Sequence, residues 1–178
     1  MRPLHLVALG TVLVALGPPR GWDPLPDPLG WLLVLAATVR LPLDGGARRV
    51  VQPVVVLALL TSVALFVPSL RDELADSDAS LSWAASLPQV AALGLLAHHL
   101  SRAAKRADDA SMTFWWSVVR ALSIAVALLP VVVLGAGVTA LGPPTAGAAA
   151  LLLLLSIGVA LGCASRPWAD TKQQTPAS

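Results

Sequence analysis

The sequence predicts an all-α membrane protein, a compact bundle of six transmembrane helices forming a single domain over residues 1–178. Three observations predict it. Six apolar runs divide the chain at about 4–17, 28–43, 50–67, 83–100, 121–141 and 147–164, the fifth within a helix expected over 113–141, and a short tail follows over 165–178. The composition is 56% hydrophobic and 12% charged, with a mean hydropathy of +0.76, far from a soluble domain. Finally, the basic residues concentrate in every second stretch between the runs. The longest stretches outside the runs are about 10 to 20 residues, too short to build a water-facing core.

The first run follows Arg2 and ends at Gly17-Pro18-Pro19, a helix stop with glycine after the last turn and proline beyond it. Ala15-Leu16-Gly17 has the small-x-small form of a signal-peptide cleavage site, but Pro18 directly after it is a poor substrate for cleavage, so a retained helix is expected. At 1.5 Å per residue, 14 residues span about 21 Å of a roughly 30 Å hydrocarbon layer, so the first hairpin is short: it extends its helices, thins the bilayer or re-enters.

The loop after it reads Gly21-Trp22-Asp23-Pro24-Leu25-Pro26-Asp27-Pro28-Leu29-Gly30-Trp31. Asp27 before Pro28 is a helix start, a carboxylate beside free amides with proline at the first helical position. The competing reading makes Asp23 and Asp27 an outward-facing cation, proton or partner site stiffened by Pro26 and Pro28. Over Asp23, Leu25, Pro26, Asp27, Pro28, Gly30 and Trp31 the chain resembles uncharacterised small multi-pass membrane proteins of high-GC, actinobacterial-type bacteria that carry a D-x-L-P-D-P-x-G-W loop. The resemblance covers about nine residues and implies a membrane location in such a bacterium, with no activity attached. The lack of Asn and Tyr and the two Lys against many Arg agree with a high-GC source.

The third run, Val50 to Val67, follows Asp44-Gly45-Gly46-Ala47-Arg48. That string resembles the start of the CDP-alcohol phosphotransferase signature, but one residue rather than two separates DG from AR, and no acid follows between Val50 and Ser69. A glycine turn followed by a basic anchor is the better reading. The fourth run contains Pro88 and Gln89, a candidate mid-membrane polar site where proline frees a backbone carbonyl beside a side-chain amide. It ends in His98 and His99, which are about 100° apart on a helix and so unsuited to chelating one ion.

Residues 112 to 120, with Trp115 and Trp116, read as an interfacial start to the fifth helix, whose apolar core runs from Ala121 to Leu141. A second stop is expected at Gly142-Pro143-Pro144. In the sixth run Gly158 and Gly162 form a GxxxG that permits close helix packing, and Cys163 reads as a small packing residue.

Orientation follows from the basic residues. With the N-terminus inside, all 12 except Arg20 and Arg71 fall on the cytoplasmic side, so both termini are expected there. The six tryptophans lie near helix ends, as expected of an interfacial belt. The basic residues flank apolar runs and form no separate face, which argues against nucleic acid.

No Asp, Glu, Lys or Arg lies near the centre of a run, and no grouping has catalytic or metal-ligand spacing. No cofactor, metal or catalytic residue is therefore expected. The expected partners are the lipid bilayer and a protein partner or a second copy. The expected role is a non-catalytic accessory, assembly or interaction protein of a bacterial plasma membrane. A small transporter or channel for an uncharged or apolar solute is the alternative, and a membrane enzyme the third reading.

Overall fold

A computed structural model describes residues 2–16, 27–41, 43–77, 79–135 and 142–169. Among these the regular structure is helical throughout: α1 (Pro3–Ala15), α2 (Asp27–Arg40), α3 (Gly45–Leu65), α4 (Pro68–Asp76), α5 (Ala79–Arg106), α6 (Ala110–Gly135), α7 (Gly142–Cys163) and a 3-10 turn (Pro167–Ala169). α3, α5 over Ser80–Arg106 and α6 over Ala110–Val133 are long and apolar enough to cross a membrane. α1 and the Gly147–Cys163 part of α7 are apolar but shorter.

The helices close a ring. α1 packs on α2, α2 on α3, α3 on α5, α5 on α6, α6 on α7, and α7 returns to α1, while α4 rests against α3 and α5. Arg2 Nη1 donates to the Ala164 carbonyl at 2.9 Å, tying the start of α1 to the end of α7.

Helical spacing decides which side chains face inward. In α3 the buried set is Ala47, Val51, Val55, Ala58 and Ser62, repeating every three or four residues along one face. Leu57 and Leu60 on the opposite face are 51% and 59% exposed. Leu128 of α6 and Leu154 of α7 are equally open, so the ring is apolar outside as well as inside. Soluble proteins seldom expose contiguous apolar surface on this scale; hydrocarbon chains cover it at no cost.

Most buried hydroxyls donate within their own helices. Thr11 donates to Val7 O at 2.8 Å, Ser123 to Val119 O at 2.9 Å and Ser156 to Leu152 O at 2.7 Å.

Helices overrun the apolar runs that mark them. α3 begins at Gly45 rather than 50, and α5 covers 79–106 rather than 83–100. An apolar run marks contact with hydrocarbon, whereas helical hydrogen bonding continues into the polar interface, where Lys105 and Arg106 suit the C-terminal dipole of α5. α6 begins at Ala110 and its described part ends at Gly135, so the remainder of the expected 113–141 helix lies outside the described residues.

Two local readings are corrected. The segment after the third run, expected as loop, holds α4, started by Pro68 in its first turn. Gly142-Pro143-Pro144, expected to stop a helix, opens α7 instead, because proline in a first turn forfeits no hydrogen bond. Pro53, Pro88 and Pro130 lie inside α3, α5 and α6.

Candidate functional site

Of the distinctive loop, Asp23 and Pro26 lie outside the described residues. Asp27 and Pro28 form the first turn of α2, the helix start that their types imply. Gly30 and Trp31 face the bundle. A β-carbon on Gly30 would stand 2.5 Å from Gly10 O and 2.7 Å from Val14 Cγ2, and one on Gly10 would meet Gly30 O and, at 2.9 Å, Val34 Cγ2. α1 and α2 therefore cross backbone to backbone at these two glycines. Trp31 is 2% exposed and its indole N–H has no hydrogen-bond partner. The second half of the motif is thus packing geometry rather than an outward-facing site.

Trp116 is buried in the same way, with its indole beside the Cys163 thiol. Trp115 is 42% exposed, and Trp83 donates to Ala127 O at 3.2 Å, three residues before Pro130. The tryptophans therefore divide between an outer face and the core, a split that position along the chain does not reveal. Trp22 lies outside the described residues.

Pro88 and Gln89, expected as a mid-membrane polar site, lie on α5. Gln89 Nε2 donates to Ser62 Oγ of α3 at 3.2 Å, so the amide joins two helices.

The turn between α5 and α6 has a specific construction. Asp108 adopts a left-handed conformation at φ 55, while Asp109 N donates to Ala104 O at 3.0 Å and Asp108 N to Lys105 O at 3.2 Å. That is a Schellman ending with Asp where glycine is usual. Asp109 then starts α6: its Oδ1 accepts from Met112 N at 3.2 Å. Its Oδ2 accepts from Trp168 Nε1 at 3.2 Å and lies 3.5 Å from Arg166 Nε. Burial alone raises this carboxyl, but the Met112 amide, the Trp168 indole and Arg166 outweigh it and hold the group below the usual carboxylate value. Asp44 is held low as well, by its own backbone N–H first and by Arg106 at 3.4 Å, a contact joining the start of α3 to the end of α5. These carboxylates are committed to structure. Among the described residues no group of three His, Cys, Asp or Glu side chains is placed to hold a metal ion.

His98 and His99 meet edge to face at 5.0 Å, and His98 reaches α6. Arg120 Nη1 lies 3.2 Å from His98 Nδ1. Guanidinium only donates, so His98 Nδ1 is the acceptor of this contact. This pair stands at one end of a groove of about 580 Å³ lined by Leu87, Val90, Gly94, Leu95, Ile124 and Ala127 among others. A β-carbon on Gly94 would lie 3.1 Å from Ser123 Cβ, so glycine brings α5 and α6 together along the groove floor.

Gly158 and Gly162 face away from the ring. α7 turns Leu152, Ser156, Val159, Ala160 and Cys163 inward, whereas Leu151, Leu154, Gly158, Leu161 and Gly162 are exposed. A β-carbon on either glycine would meet nothing within 4 Å.

The pairing of Arg120 with His98 and the Gly10–Gly30 crossing have no signal in the sequence, because each depends on which helices become neighbours. Comparison with protein-family profiles, curated proteins and solved structures finds no match to this chain.

Proposed function

We propose that this chain is a six-span integral membrane protein of a bacterial plasma membrane with both ends cytoplasmic, and that it serves as a non-catalytic accessory or assembly protein. Its apolar outer surface, the ring of six helices and the placement of all but two of the 12 basic residues support the threading. The short helices α1 and α2 span as a hairpin whose close glycine crossing lets them pack as one unit.

The observation that carries the role is the outward GxxxG of α7. Gly158 and Gly162 leave a shallow strip between Leu154 and Leu161, and within a bilayer helices associate through such close approach rather than through hydrophobic burial. Among the described residues nothing covers the strip, so it suits a transmembrane helix of a partner or a second copy.

Purification in mild detergent tests the reading. A stoichiometric partner or a stable oligomer is expected, lost on Gly158→Ile with Gly162→Ile. A monomer with no companion protein contradicts it.

A further inference from the structure

We propose that the groove between α5 and α6 binds one acyl chain of an anionic phospholipid, with the lipid phosphate on Arg120. The walls are almost wholly apolar: Leu87, Val90, Ala91, Leu95, Ile124 and Ala127. Ser123 also lines the groove, but its hydroxyl is turned back to Val119 O and offers the groove no donor. From Leu87 to His98 the groove runs for about 17 Å, close to the roughly 15 Å of hydrocarbon in one leaflet. A chain entering from the interface at the His98 end would therefore lie along it without reaching the second leaflet.

Charge complementarity selects the headgroup. Arg120 reaches the groove end with a histidine, not a carboxylate, as its contact, so its guanidinium charge is left for an incoming anion. Arg102 lies one turn beyond His98 on the same face of α5, and Lys105 and Arg106 follow, with Arg106 drawn to Asp44. Asp109, the acid that starts α6, is engaged by Trp168 and Arg166; exposed Asp108 lies in the turn beyond α5. Ile124 is 53% exposed, so the groove opens sideways where lipid diffuses past. The proposal rests on α5 and α6 lying in the bilayer, and it is independent of what α7 binds.

The test is native mass spectrometry of the detergent-purified chain titrated with phosphatidylglycerol or phosphatidylcholine. The wild type is expected to retain one phosphatidylglycerol about tenfold more tightly than phosphatidylcholine. Arg120→Gln, which keeps a donor but removes the charge, is expected to erase that preference. Ala91→Phe, at an exposed wall position, is expected to lose the bound lipid of either kind. Arg49→Gln, an exposed basic residue on α3, is expected to bind as the wild type. Equal retention of both lipids by the wild type, or an unchanged preference in Arg120→Gln, overturns the proposal. So does an Ala91→Phe chain that keeps its lipid but loses a protein subunit, since the groove would then hold a helix. A chain that stays soluble without detergent would instead overturn the membrane reading beneath it.

Discussion

Gly10 and Gly30 oppose each other where α1 crosses α2, with the carbonyl of each in the space a side chain on the other would need. No rotamer change relieves such a clash, because the obstructing atoms belong to backbone. We expect Gly30→Ala to destabilise the folded chain by about 1–3 kcal/mol, the usual cost of overpacking. Gly45→Ala, where a β-carbon meets nothing within 4 Å, is the control and should cost far less. Reversible unfolding in mixed micelles measures both.

Asp108 holds a left-handed backbone at the end of α5. Replacing it with glycine removes the steric cost of that conformation and should stabilise the chain by about 0.5–1 kcal/mol. Asp108→Val places a branched side chain there and should destabilise it. The two variants should therefore move the unfolding midpoint in opposite directions.

Asp109 joins the start of α6 to the segment after α7. Asp109→Ala should cost about 1 kcal/mol from the lost helix cap and release the Trp168 indole, visible as altered tryptophan emission. Its carboxyl is held below the ordinary 3.8, so the ionised form stabilises the fold. That contribution is fully present above pH 3.8 and is lost as the pH falls through the lower folded value. The stability advantage of the wild type over Asp109→Asn should accordingly shrink below pH 3.8 and be flat above it.

The native cysteine is unsuited to reporting topology, because Cys163 is fully buried and a thiol reagent cannot reach it in the folded chain. In a Cys163→Ala background, cysteines at exposed Ser165 and Asp76 replace it. An impermeant reagent applied to intact cells should label the Asp76→Cys chain and leave Ser165→Cys untouched until the membrane is opened. The reverse pattern would invert the proposed orientation.

The all-α class was legible because apolar runs of this length and composition favour one backbone solution in hydrocarbon. The inner face of each helix was less so. In α7 the runs of Leu and Ala are apolar on both sides, and only the neighbours α1 and α6 decide that Val159 faces in and Gly158 out. Pro28 and Gly30 announced a helix start and something small, yet Gly10, the other half of that crossing, sits in an unremarkable string of Leu, Val and Ala. Gln89 read as polar at mid-membrane, but its bond to Ser62 depends on α3 and α5 being adjacent. α4 was missed because a polar segment of nine residues carries no apolar run.

The most direct measurement of the proposed role places a photo-crosslinking side chain at Leu154, beside the outward glycines, and irradiates native membranes. The account predicts a protein adduct of defined mass, either a second copy or one partner, that disappears when Gly158 and Gly162 are both changed to Ile. Labelling of lipid alone, or an adduct that survives both substitutions, contradicts it.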